Sequence, residues 1–233
     1  MVDLSRMEYL VGKEALDRFR EKSVLVCGVG GVGSFVAEAL CRSGLGQITL
    51  LDYDKVEPSN LNRQLMTTKD NIGMVKTEAL KKRLEEVSDT KVETINTFID
   101  ENFSLDKKYD YVIDCIDTLT SKFILVRYCH EHNLPVISSL GSARRLKPEK
   151  ITLTTLDKTR NDPLAKAFRN LVKKENYRKK IEVVYVDTPA IRSTVVKEGK
   201  TNKEKYPLGS GIFVVGSVGL YIASIVFERL IKE

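Results

Sequence analysis

Residues 23–27, Ser-Val-Leu-Val-Cys, run straight into Gly28-Val29-Gly30-Gly31-Val32-Gly33, and a helical pattern follows over 32–43. A G-x-G-x-x-G turn between a buried strand and a helix constrains the fold more than any other feature of the chain. The glycines permit a tight turn and let backbone N–H groups at the positive helix end approach phosphate oxygens. Asp52 comes after a second apolar run at 48–51, placed 19 residues beyond Gly33, where a carboxylate grips ribose hydroxyls. By itself this pattern indicates an adenine nucleotide, most often NAD.

The rest of the chain keeps alternating. Further strands are expected at 92–95, 111–116 and 135–138, and helices at 74–87 and 119–132. Residues 6–20 read as one short amphipathic helix anchored by Leu10, Leu16 and Phe19. Strands alternating with helices predict an α/β, Rossmann-like, doubly wound and mainly parallel sheet, with central order 3-2-1-4-5. Beyond residue 145, β-rich stretches at 151–156 and 181–186 flank a basic helix at 162–174 and extend that sheet as a C-terminal antiparallel addition. The polar stretch 187–210, with Pro189, Gly199 and Pro207, is expected to be a mobile loop. The apolar run 212–231 is uncharged for only 16 residues, short of the ~20 a membrane span requires. It is expected as a helix buried in the core or a subunit interface, not in a membrane, with Gly216, Gly219 and Ala223 spaced for close contact. The chain is thus one domain, 1–233: a nucleotide-binding half at 1–141, then a basic substrate-binding extension and helix at 142–233.

Composition sets the class. Hydrophobic residues at 42% and charged residues at 30% exclude disorder and collagen. Cysteines 27, 41, 115 and 129 form no C-x-x-C pair, so no structural zinc is expected, and a reducing cytoplasm is. The first eight residues carry acids and no apolar core, unlike a secretion signal. Net charge is +6, but residues 142–180 hold 13 basic and 4 acidic side chains, against 25 and 28 elsewhere. Such asymmetry points to a polyanionic partner.

The residues after Asp52 argue against NAD. Asp54, the segment Ser59-Asn60-Leu61-Asn62-Arg63-Gln64, and Lys76 after Gly73 put cations close behind the ribose carboxylate, where hydride transfer has no use for them. Transfer of a carboxylate to the α-phosphate of ATP does use them, because charge accumulates on phosphate. Asp117-Thr118, just past the fourth strand, lies where ligands collect, and Asp117 is placed to hold Mg²⁺ on the triphosphate. Cys27 and Cys115 read as small buried thiols, and His130 and His132 as helix C-terminal caps rather than metal ligands.

With these residues the chain resembles the ubiquitin-activating-enzyme superfamily of ThiF- and MoeB-type adenylyltransferases. The shared features are G-x-G-G-x-G, D-x-D, N-x-x-R-Q, Lys76 and C-x-D at Cys115-Ile116-Asp117. The resemblance implies that Gly28, Gly30, Gly31 and Gly33 cradle the phosphates while Asp52, with Asp54, takes the ribose side. It implies that Asn60, Asn62, Arg63, Gln64 and Lys76 surround the triphosphate and that Asp117, with Thr118, carries the Mg²⁺. It also implies a homodimer in which Arg6 reaches the partner's ATP.

Carrier-activating members usually have two C-x-x-C pairs and an Asn where Thr118 stands. Residues 156–166, LDKTRNDPLAK, instead resemble the K-T-x-x-D-P-L-A segment of the tRNA threonylcarbamoyladenosine dehydratases, and 138–142 and 209–211 resemble their neighbouring stretches. That family uses ATP to cyclise the threonylcarbamoyl side chain on adenosine 37 of tRNA through an acyl-adenylate. The implied partner is tRNA carrying threonylcarbamoyladenosine. The alternative is an adenylyltransferase acting on the C-terminal glycine of a ubiquitin-like sulfur carrier. The 187–210 stretch has no cysteine, so nothing there implies a sulfur-relay protein.

Overall fold

The computed structural model describes residues 2–192, 194–195 and 208–232. Among the described residues seven strands form one sheet: β1 (Ser23–Cys27), β2 (Gln47–Leu51), β3 (Lys91–Ile95), β4 (Tyr111–Asp114), β5 (Val136–Ser139), β6 (Ile151–Thr155) and β7 (Glu182–Val186). Their order is β3-β2-β1-β4-β5-β7-β6, which contains the expected 3-2-1-4-5. All neighbours pair in parallel except β6, which runs antiparallel to β7. The chain order reverses between β1 and β4, so their C-terminal ends form the crevice where ligands of doubly wound sheets bind.

The α-helices described around the sheet are α1 (Ser5–Val11), α2 (Lys13–Arg20), α3 (Gly33–Arg42), α4 (Lys76–Val87), α5 (Leu119–Glu131), α6 (Pro163–Lys174) and α7 (Ile212–Lys232). Side chains alternate across each strand. Val24 and Val26 face a core shared with α3, α4 and α7, while Leu25 and Cys27 face another shared with α5 and α6. Covered on both faces, the strands need the near-continuous apolar runs that the sequence supplies.

Two boundaries differ from expectation. The single helix expected at 6–20 breaks at Gly12, whose φ of 85° suits glycine and ends α1. Leu16 and Phe19 are fully buried, but Leu10, expected as a third anchor, is 76% exposed. The break turns α1 away from the face that α2 packs, so the period of 3.6 does not carry across it. The fourth strand stops at Asp114 rather than 116, because the Asp114 carboxylate accepts the N–H of Ile116 at 3.0 Å and turns the chain out of the ladder. Of the expected loop at 187–210, residues 193 and 196–207 lie outside the described residues, and its expected mobility falls largely there.

Helix α7 is long and apolar enough to cross a membrane, yet half of that apolar window is buried inside the protein. Val214, Val218, Ile222, Val226 and Leu230 enter the core, while Phe213, Leu220 and Tyr221 on its other side are exposed. Arg229 anchors its end with paired bonds to Glu182 at 2.5 and 2.9 Å. Two glycines set how closely α7 lies on α3. A Cβ at Gly219 would stand 2.6 Å from the Val32 carbonyl oxygen, and one at Gly216 would stand 3.2 Å from the Phe35 ring. Helix preference alone favours Ala over Gly by about 1 kcal/mol. Backbone overlap outweighs it, so Gly219→Ala is expected to lose about 1–3 kcal/mol in urea unfolding, as overpacked cores do. Gly209→Ala, whose Cβ meets nothing within 4 Å, serves as the silent control.

Candidate active site

The glycine loop fits because its backbone meets two others at van der Waals limits. Gly28 has φ of 84°, and a Cβ there would lie 2.8 Å from the carbonyl oxygen of Cys115, beyond β4. A Cβ at Gly33 would fall 1.9 Å from the Gly28 carbonyl oxygen, so only glycine lets α3 start against the strand it follows. Among the described residues the N–H groups of Gly30, Gly31, Val32 and Gly33 find no acceptor in the chain. They are the unpaired donors at a helix start, where the helix dipole favours an anion.

Asp52, 8% exposed, closes one side of this turn. Its carboxylate accepts the Val29 N–H at 2.8 Å and the Asp54 N–H at 2.9 Å, which fixes it beside the loop. A hollow of about 500 Å³ opens beyond Leu51, the residue before Asp52, with Ile95 and Phe98 among its apolar walls and Thr97, Asp100, Asn102, Ser104 and Asp106 among its polar ones. No motif announced Leu51, Ile95 and Phe98; they come together only because β2 and β3 end at the same edge.

The N-x-x-R-Q segment lines the other side. A 3-10 turn at Pro58–Asn60 locks Asn60, whose side-chain oxygen accepts the Glu57 N–H at 3.1 Å. Arg63 lays its stem over the loop, with Cγ 3.5 Å from a Cβ position on Gly31, and its guanidinium donates to the Ser59 carbonyl at 2.7 Å and to Asn62 at 3.0 Å. Gln64 approaches Gly30 and is 7% exposed, and its buried side-chain oxygen has no partner. Asn62 donates to the Ser210 carbonyl at 2.8 Å, tying in the start of α7. Lys76, 7% exposed at the start of α4, holds its ammonium 2.7 Å from Asp54.

Asp117 is exposed at the crevice and accepts a long 3.5 Å hydrogen bond from Thr118. Tyr53 registers its closeness to the other acids. Its phenol is pushed above the ordinary value chiefly by Asp54, with burial, Asp117 and Asp52 adding. Thus Gly28, Gly30, Gly31, Gly33, Asp52, Asp54, Asn60, Asn62, Arg63, Gln64, Lys76, Asp117 and Thr118 lie around one crevice. Arg6 does not join them. It lies exposed on α1 and makes no polar side-chain contact among the described residues.

Sequence reasoning missed the support beneath Asp117. Asp114 and Lys122 are fully buried and 2.6 Å apart. Lys122 also donates to the Ser139 carbonyl at 2.9 Å, and the Ser138 hydroxyl donates to Asp114 at 2.7 Å. Lys122 lies on a helix whose face toward the sheet cannot be read from one lysine, so no sequence signal marks it. The thiols of Cys27 and Cys115 are raised by burial first and by the Asp114 charge next, which makes them poor nucleophiles. His132 does cap α5, 2.8 Å from the Tyr128 carbonyl, but His130 bonds the Tyr177 hydroxyl instead.

The basic segment divides in two. Helix α6 starts at the crevice edge, where the Asp162 carboxylate takes the Gly141 N–H at 3.0 Å and caps the helix. It ends at the opposite edge, where Lys179 donates to the carbonyl of His130 at 2.8 Å, on the last turn of α5. Lys173, Lys174, Lys179 and Lys180 therefore lie away from the crevice, while Arg144, Lys147 and Arg160 lie near it. Arg145 is 6% exposed and structural.

Removing one member of a buried ion pair strands its partner. Lys122→Met is expected to lose about 3–5 kcal/mol in urea unfolding, and the double variant Asp114→Leu/Lys122→Met to regain most of it. Equal losses in both would show that packing, not the stranded charge, sets the cost.

A ThiF family model matches residues 4–218 of the chain. The tRNA threonylcarbamoyladenosine dehydratase of Bacillus subtilis is 37% identical over 240 residues, covering 98% of this chain and 94% of that protein. The crystal structure of the Escherichia coli tRNA N6-threonylcarbamoyladenosine dehydratase, TcdA, in complex with ATP superposes with a TM-score of 0.87 at 30% identity. That match covers 98% of this chain and 93% of TcdA. The same enzyme in complex with AMP superposes at 0.90 and 29% identity, over 98% and 94% of the two chains. A match along nearly the whole length, with the glycine loop, the acids and the Arg–Gln segment gathered around one crevice, places this chain in the ThiF family.

Proposed function

We propose that this protein is an ATP-dependent tRNA threonylcarbamoyladenosine dehydratase. The observation that carries the reading is similarity over 98% of the chain to enzymes of that name, one of them crystallised with ATP. The adenine enters the hollow beside Leu51, Ile95 and Phe98, Asp52 takes the ribose hydroxyls, and the free N–H groups of the glycine loop take phosphate oxygens. Asp54 is paired with Lys76 and Asp52 accepts two backbone N–H groups, which leaves Asp117 as the carboxylate that would repel a triphosphate unless a cation intervened. That charge pattern fits Mg²⁺ held by Asp117, since this ion commonly takes one or two carboxylates and completes its shell with phosphates and water. Bound there, Mg²⁺ supplies charge neutralisation on the leaving pyrophosphate.

The threonyl carboxylate is ionised at neutral pH, so its attack on the α-phosphorus needs positioning and charge compensation rather than a general base. Arg63 and Lys76 provide fixed positive charge. As the carboxylate oxygen bonds to phosphorus, the bond to pyrophosphate breaks. A group of the same side chain then attacks the acyl carbon of the adenylate, AMP departs, and the proton passes to solvent. No step requires an enzyme nucleophile, consistent with the raised thiols. Activation of a carrier protein's C-terminal glycine is less favoured, because the Bacillus subtilis relative that matches over 94% of its own length is a dehydratase. A tRNA substrate and free thiols suit a reducing cytoplasm.

We infer a homodimer. Tyr9 and Leu10 on α1 are 79% and 76% exposed, and the outer face of α7 shows Phe213 and Leu220 at 73% and 53%. A second copy covers such surfaces, and Arg6 beside Tyr9 then enters the partner's crevice.

Incubation with ATP, Mg²⁺ and modified tRNA is expected to produce AMP and a nucleoside lighter by one water in mass spectrometry; an unchanged nucleoside mass would refute the reading. Asp117→Ala and Arg63→Ala are each expected to lose about a hundredfold or more in turnover. Near-normal rates would remove that residue from the site. Arg6→Ala and Asp117→Ala subunits mixed into heterodimers are expected to regain activity, because one of the two crevices keeps both residues. Heterodimers without any regain would rule out action in trans.

A further inference from the structure

The loop after β5 closes the same edge as the glycine loop and presents a site that the dehydration chemistry does not use. Arg145 is drawn inside, donating to the Asn161 carbonyl at 2.9 Å while its buried Nε has no partner. Arg144 and Asn161 both adopt the left-handed region, with φ of 57° and 60°, which non-glycine residues hold only when the surroundings enforce it. Here the Arg144 N–H donates to the Gly209 carbonyl at 2.8 Å, and the Arg144 carbonyl accepts the Ile191 N–H at 2.9 Å. Gly209 precedes Ser210, whose carbonyl takes Asn62 of the N-x-x-R-Q segment. The loop is thus pinned directly beside the candidate active site.

Pinned in this way, it leaves Leu146 71% exposed between Arg145 and Lys147. Under it lies a cavity of about 260 Å³ lined by Arg145, Leu146, Lys147, Thr188, Pro189 and Ile191. Leu146, Pro189 and Ile191, the last 49% exposed, give it apolar walls beside Thr188, and the exposed Lys147 adds a cation next to the buried Arg145. A free anion gains nothing from Leu146, Pro189 and Ile191, and an aliphatic ligand gains nothing from the cations. A nucleobase carried on a phosphate backbone suits both, and the part of the basic segment on this side supplies Lys147 at the cavity with Arg144 and Arg160 nearby.

We propose that this cavity holds an unstacked nucleobase of the RNA substrate, from a nucleotide adjoining the modified adenosine, with Lys147 against the backbone phosphate. The assignment rests on the tRNA reading of the neighbouring crevice. Splaying that base onto Leu146 frees the modified adenosine to enter the crevice.

A double-mutant cycle tests it. Wild-type protein and Leu146→Ser are titrated with an anticodon stem-loop RNA, intact or abasic at either nucleotide flanking the modified adenosine. Leu146 is largely exposed, so the fold tolerates the change, and ATP affinity without RNA is expected to stay constant. Leu146→Ser is expected to weaken intact RNA about tenfold, and to weaken one of the abasic RNAs hardly at all. Equal loss on all three RNAs, or no loss on any, overturns the assignment. Because binding is read without turnover, the cycle decides the cavity independently of catalysis. If the wild-type protein removes no water from modified tRNA, the proposed function fails; if it does and the cycle is additive, only the cavity assignment fails.

Discussion

Three backbone segments meet where β1 passes into α3, and the site is built around that meeting. The Gly28 carbonyl oxygen occupies the space a Gly33 side chain would need, and the Cys115 carbonyl oxygen occupies the space a Gly28 side chain would need. This closeness turns the free N–H groups of the loop toward the crevice between β1 and β4. It also sets the Cys115-Ile116-Asp117 strip against the loop, so that the Asp117 carboxylate and the unpaired N–H groups share one crevice. On the outer side, Gly216 and Gly219 let α7 rest on the first turn of α3 and hold that helix start in place.

Electrostatics then divide the crevice into two kinds of charge. Asp114 and Lys122, both fully buried, neutralise one another and brace the turn that leads to Asp117. Such a pair contributes little net stability against an apolar substitute, but it leaves few alternative positions for the groups it ties together. Asp52 and Asp54 are fixed by local bonds to Val29 and Lys76, whereas Asp117 keeps a largely unused carboxylate facing the crevice. Positive charge reaches the same space from Arg63 and Lys76, which are held by neighbours of their own chain segment and by Asp54. Preorganisation of this kind suits chemistry in which negative charge gathers on a phosphate.

The antiparallel addition of β6 to β7 brings the second half of the chain to the same edge. Residues 140–150 and 187–191 flank the crevice, and α6 carries its cations from there to the far side of the sheet. One basic segment in the sequence is therefore two separate surfaces in the molecule. Only the first lies beside the crevice.

The glycine spacing, the acid after β2 and the Arg–Gln–Lys series are local patterns, and by themselves they marked the doubly wound fold and most of the residues that gather at one crevice. Apolar runs with turn signals between them likewise marked every strand to within a residue or two. Whatever depends on the direction a side chain takes was decided only by tertiary structure. Leu10 has the helical spacing of a core residue, but Gly12 breaks the helix and leaves it 76% exposed. Lys122 reads as an ordinary surface lysine, yet it is fully buried because Asp114, eight residues earlier on β4, offers the charge that makes burial tolerable. The basic run shows its excess of charge at once, but not that a helix of 12 residues separates its ends across the sheet. Sequence records spacing along one segment; which segments share an edge, and which face inward, depends on the order of strands in the sheet.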